Sequence, residues 1–163
     1  MSRITLAPKP GKLRKKHKIF LSYRRSDGAD VSGRVYDRLV AKFGPRNVIK
    51  DVYSIPPGVD FREFITGTIP QCSVFLAIIG PDWLTGRPGA PRSLKNPADV
   101  VRLELACAYA NGIPIMPVLV GGARLPSARS LPKELKGLAG LHAIVLRGDP
   151  DFHRDVDRLL PHL

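Results

Sequence analysis

Cysteine, acidic residues and long apolar stretches are all scarce in this chain of 163 residues. The two cysteines, Cys72 and Cys107, are too few for a disulfide framework or a zinc site. The longest apolar run, Val74 to Gly80, falls far short of the ~20 residues that cross a bilayer. No apolar segment follows the basic start of the chain, so a secretory signal is not expected. Acids number 14 against 26 lysines and arginines, a net charge of +12. Seven of those cations lie within residues 1–18, where there is no acid, which leaves +5 for the remainder. Residues 1–17 therefore read as a basic, disordered arm, and residues 18–163 as one domain with enough length to bury its own core. Cations at positions 3–18 suit contact with nucleic acid or an anionic membrane. The arm has no aromatic residue to stack on bases, and Pro and Gly interrupt any amphipathic helix, so a solvated leader is the plainer reading.

The motifs of several enzyme classes are missing as well. There is no G-x-x-x-x-G-K-[ST] loop and no G-x-G-x-x-G after a strand, which argues against P-loop nucleotidases and dinucleotide dehydrogenases. A phospho-accepting receiver needs acids where this chain has Tyr23-Arg24-Arg25 and Gly80-Pro81. His17, His142, His153 and His162 are scattered without metal-ligand spacing, and His153 reads as a surface residue. No nucleophile elbow or Cys/His pairing suggests acyl transfer.

What is present alternates between short apolar runs and helical periodicity. Strands are predicted at 19–23, 47–50, 74–79, 113–120 and 143–146; most are continuously apolar, as in strands buried on both faces of a parallel sheet. Between them, Val31, Val35, Leu39, Val40 and Phe43 recur at helical spacing, as do Phe61, Phe64, Ile65 and Ile69, and then Val101, Leu105 and Ala108-Tyr109. Phe152, Val156, Leu159 and Leu160 stripe a last helix, and Gly44, Gly112 and Gly121 mark stops. The pattern predicts an α/β fold: a flavodoxin-like, doubly wound, five-stranded parallel sheet with helices on both faces. Residues 84–97 form the one long loop.

Two features carry chemistry. Arg24-Arg25-Ser26 leaves the carboxyl end of the first strand and enters a helix, the crevice where such sheets bind ligands. A guanidinium pair beside a helix N-terminus makes a clamp for pyrophosphate or carboxylate; equally, the pair can bridge surface acids such as Asp27 and Asp30. Glu104 has Val100, Val101, Cys107 and Ala108 as its i±3 and i±4 neighbours and so no ion-pair partner on its own helix. It is either a functional carboxylate or a glutamate at the edge of the apolar stripe, facing water.

Residues 18–25, Lys-Ile-Phe-Leu-Ser-Tyr-Arg-Arg, resemble the first-strand box of Toll/interleukin-1 receptor (TIR) domains. Asp51 to Phe61, with Ile55-Pro56-Pro57-Gly58, is similar to the family's second box. Asp99 to Glu104, followed by Ile113 to Val120, matches the helix that carries the family's glutamate and the strand after it. The likeness runs from Lys18 to the C-terminus and is nearest to bacterial members.

The resemblance implies one of two functions. In the enzymatic class the domain cleaves the nicotinamide–ribose bond of NAD+, a substrate and not a cofactor, as a hydrolase or cyclase; bacterial immunity and the cytoplasm are the implied setting. Glu104 then takes the catalytic position, and Arg24, Arg25 and Ser26 lie near the dinucleotide. Asp51, Tyr53 and Gly58 belong to the loop that moves over the site, and Ile55, Pro56, Pro57 and Gly58 to its assembly segment. Val100 stands where many enzymatic members carry an aromatic, and Tyr53 or Trp83 is the alternative aromatic surface, although Trp83 reads more readily as a core anchor. Phe152-His153 is the nearest match to the third box. Implied partners are other TIR domains in a homo-oligomer and a fused or separate sensor. The other class is a non-enzymatic interaction module, in which Glu104 is incidental.

Overall fold

A computed structural model describes residues 17–50, 55–86 and 93–163. Five parallel strands, β1 (Ile19–Ser22), β2 (Val48–Lys50), β3 (Val74–Ile79), β4 (Ile115–Leu119) and β5 (Ile144–Val145), form a sheet in the order β2-β1-β3-β4-β5. That is the doubly wound order expected from the sequence. The central strands β1 and β3 are buried along their whole length, which is why they read as unbroken apolar runs.

Alternation along those strands divides the core in two. Phe20, Phe75, Ala77 and Ile79 face one layer with Ile65 of α2 (Phe61–Thr68) and Val101, Leu105 and Ala108 of α3 (Val100–Ala110). Ile19, Leu21, Val74, Leu76 and Ile78 face the other, with Val35 and Leu39 of α1 (Arg25–Phe43) and Phe152, Val156 and Leu159 of α4 (Phe152–Leu159). Phe20 and Phe75 are register partners, and their rings stack with centroids 5.3 Å apart.

Local chemistry sets the helix ends. Asp60 caps α2 by accepting from the Arg62 amide at 2.7 Å, and Asp99 caps α3 by accepting from the Arg102 amide at 3.2 Å. Gly44, with φ 86, ends α1 while its N–H bonds the Val40 carbonyl. At Gly28 a Cβ would meet Ile78 at 3.6 Å, an ordinary packing distance, so α1 lies against β3 here.

The reading of a helix between each pair of strands needs one correction. From β4 to β5 the chain forms 3-10 turns at Ala128–Ser130 and Lys133–Gly140 in place of an α-helix. Pro126 and Pro132 remove donors, Gly137 and Gly140 weaken helical propensity, and the burial of Leu131, Leu135 and Leu138 holds the turns down instead. No helix among the described residues is long and apolar enough to cross a membrane. Residues 1–16, and with them nearly all of the basic arm, lie outside the described part of the chain.

Candidate active site

The strand order reverses between β1 and β3. β1 feeds α1 on one face of the sheet, and the chain after β3 reaches α3 on the other, so a crevice opens at their carboxyl ends. Ser22, the last residue of β1, lies at its floor, 2% exposed. Its hydroxyl donates to Oε2 of Glu104 across 2.6 Å. Glu104 stands in the second turn of α3 and is 3% exposed. The water-facing alternative for this glutamate is thereby corrected: the carboxylate points into the junction of α3 with β1, and burial requires the partner it finds there. Arg102, two residues earlier, turns the other way and donates to Glu134 at 2.8 Å.

The two arginines do not form the matched clamp that their adjacency suggests. Arg24 occupies the N-cap position of α1 with extended backbone, and its carbonyl accepts from the amides of Asp27 and Gly28. Its side chain is 2% exposed. Nε donates to the Trp83 carbonyl at 2.9 Å, and Nη1 and Nη2 each donate to one oxygen of Asp99, also at 2.9 Å. This is a buried bidentate pair, in the geometry a guanidinium fork favours. In the single chain the partner is thus Asp99, not the surface acids Asp27 and Asp30. Arg25, the first residue of α1, is exposed instead. Beside it the Ser26 hydroxyl oxygen is buried with no hydrogen-bond partner among the described residues. Residues 25–31 line a shallow depression of about 400 Å³ along this end of α1.

Two further contacts fix the rim. Asp27 accepts from the Asp82 amide through Oδ2 at 2.7 Å, tying α1 to the loop after β3. A side chain at Gly80 would lie 2.6 Å from the Asp27 carboxylate and backbone, so only glycine admits this approach. In the segment between β2 and α2, the Val59 amide closes a turn onto the Pro56 carbonyl at 3.2 Å. Pro57 and Gly58 are its central residues, and φ 85 at Gly58 is the value a type II turn demands there. Pro56 to Asp60 are exposed and Ile55 is half-buried. Asp51 and Tyr53 lie outside the described residues.

Val100 opens α3 one turn before Glu104 and packs half-buried against the core layer of α2 and α3. Trp83 is a core residue, as expected of a core anchor. His153 is exposed, and its Nδ1 lies 2.9 Å from Nη1 of Arg38. Among the described residues no three His, Cys, Asp or Glu side chains gather as a metal-binding group. Ser22 and Asp99 are the residues that sequence reasoning left out. Each carried a signal: Ser22 is the polar end of an apolar strand, and Asp99 is a capping residue ahead of a helix.

Comparison with known proteins identifies the family and the fold. The TIR domain family model matches residues 19–160. The TIR domains of the activated Roq1 resistosome, which directly recognises the pathogen effector XopQ, superpose with a TM-score of 0.68 at 12% identity, covering 89% of this chain and 98% of that one. The Clostridium botulinum CMP N-glycosidase BcmB aligns with a TM-score of 0.48 at 16% identity over 90% of this chain and 99% of its own. No curated protein matches in sequence. With the family's pattern matched over nearly the whole domain, on a sheet of the corresponding order, this chain belongs to the TIR domain family.

Proposed function

We propose that this TIR domain is an NAD+ nucleosidase that cleaves the nicotinamide–ribose bond and is activated by self-association, in bacterial immune signalling. The observation that carries the reading is the Glu104 carboxylate, buried at the switch-point crevice and held there by Ser22 at 2.6 Å.

A single carboxylate suffices for this reaction. The bond from C1′ of the ribose to the pyridinium nitrogen breaks, its electron pair returns to the ring, and nicotinamide departs neutral without needing a proton. Positive charge develops on C1′ and the ring oxygen, as in glycoside cleavage. Glu104 is suited to bind the ribose hydroxyls and offset that charge, and Ser22, donating to Oε2, keeps the carboxylate oriented. Water attacking C1′ yields ADP-ribose and a proton; attack from within the same molecule yields a cyclic product. Under this reading Arg25, exposed at the start of α1, is the cation that meets the pyrophosphate.

The site also accounts for a need to assemble. In the single chain Glu104 is 3% exposed, so a ribose reaches it only when the crevice opens. The exposed turn at Pro56–Val59, with Val59 44% exposed, offers a surface through which a second copy supplies that opening. The test is to incubate concentrated protein with NAD+ and resolve the products by chromatography and mass spectrometry beside Glu104→Ala. Nicotinamide from the wild type alone, with its companion nucleotide, supports the reading and names the product. No nicotinamide at any concentration overturns it and turns attention to a binding module.

A further inference from the structure

Arg24 and Arg25 are adjacent in sequence and opposite in situation, and the difference assigns them separate work. We infer that Arg24 is a positioning residue for Glu104, acting through Asp99, and that it does not bind the substrate. The inference rests on the nucleosidase reading for its kinetic arm and on geometry alone for its structural arm.

The contacts form a closed chain. Arg24 reaches from the start of α1 to the Trp83 carbonyl, in the loop after β3, and to both oxygens of Asp99. Asp99 Oδ2, while paired with Nη2, also accepts from the Arg102 amide, and the Asp99 carbonyl accepts from the Leu103 amide. The guanidinium therefore fixes the residue that starts α3. Five residues later on that helix Glu104 takes its hydrogen bond from Ser22, which lies two residues before Arg24. The end of β1 and the residues just after it thus hold α3 at two points, Ser22 on Glu104 and Arg24 on Asp99. With one end of the helix fixed by the bidentate pair, a small slide or rotation of α3 that would separate Glu104 from Ser22 is opposed. A lysine cannot make the fork, so Arg24 cannot be exchanged for it without loss of this restraint.

The experiment compares Arg24→Lys, Asp99→Asn, their double variant and Arg25→Ala, each first shown by circular dichroism to be folded at the assay temperature. Crystal structures of Arg24→Lys and Asp99→Asn give the arm that needs no activity: a Ser22–Glu104 separation beyond hydrogen-bond reach in either supports the inference, and the native separation kept in both overturns it. In NAD+ cleavage, Arg24→Lys and Asp99→Asn are each expected to lower kcat about tenfold or more with little change in KM. The double variant is expected to be no worse than the singles, because one linkage is broken in all three. Arg25→Ala is expected to raise KM. Arg24→Lys raising KM while Asp99→Asn leaves both constants alone overturns the inference, as do additive losses. Should the wild type release no nicotinamide, the nucleosidase reading fails and the crystallographic arm still decides the inference. If Asp99→Asn does not fold, Arg24→Lys supplies both arms.

Discussion

Glu104 is bordered on α3 by apolar side chains, so the hydroxyl it meets had to come from another element, and the last residue of β1 provides it. Burial also lowers the reactivity of the two thiols, Cys72 more than Cys107. Desolvation pushes the Cys72 thiol up to about 11, with the Lys18 charge opposing it, and burial raises Cys107 as well, against a hydrogen bond from Asn111. At pH 8 both are then held as thiols, Cys72 the more firmly. Iodoacetamide should label Cys107 ahead of Cys72 in the folded protein, and peptide mass spectrometry reads the order; rapid modification of Cys72 would contradict it. At this scale the sequence showed Glu104 through its missing helix partners, and it showed the arginines through their place after β1. It did not reveal that Arg24 turns inward, because Asp99 lies 75 positions away and an ion pair between distant elements leaves no local pattern. Ser22 was hidden for the same reason.

Among the elements, α4 owes its seat to a carboxylate. Asp155 is buried and accepts from the Arg147 backbone amide at 2.9 Å and from the same guanidinium at 2.9 and 2.7 Å, tying the end of β5 to the helix. Those hydrogen bonds hold the Asp155 carboxyl well below the usual carboxylate range. The native pKa is depressed, so the stabilisation is fully present above the ordinary aspartate value of about 4 and is lost as pH falls from there through the native value. Thermal melts of Asp155→Asn should start from a lower Tm at neutral pH and lose less on acidification below about pH 4 than the wild type does. Parallel slopes for the two proteins would contradict this role. Most elements were legible because their burial is uniform: β3 is apolar at all six positions and was read to the residue. β4 and β5 came out shorter than predicted because apolar content continues past the ladder; the Ile113 amide bonds the Ala108 carbonyl at the end of α3 and not a strand. The turns between β4 and β5 went unread, since Leu131, Leu135 and Leu138 are interrupted by Pro and Gly and give no clean period.

For the whole molecule, the sheet, the crevice and the exposed rim make one account. The reversal of strand order places β1 and β3 side by side with helices leaving to opposite faces, and Ser22 meets Glu104 where they part. In a lone chain that carboxylate is covered, while the turn at Pro56–Val59 stands free of the core. Catalysis on this account belongs to the assembled protein and rests on a single carboxylate. Gln at position 104 keeps an oxygen for the Ser22 hydroxyl and removes the charge, so it separates chemistry from packing. The decisive measurement is the rate of nicotinamide release from NAD+ across a range of protein concentrations, wild type against Glu104→Gln. The account predicts a wild-type rate per chain that climbs with concentration, and a folded variant slower by about a hundredfold or more. Equal rates from the two proteins, or no release by the wild type at the highest concentration, would contradict it.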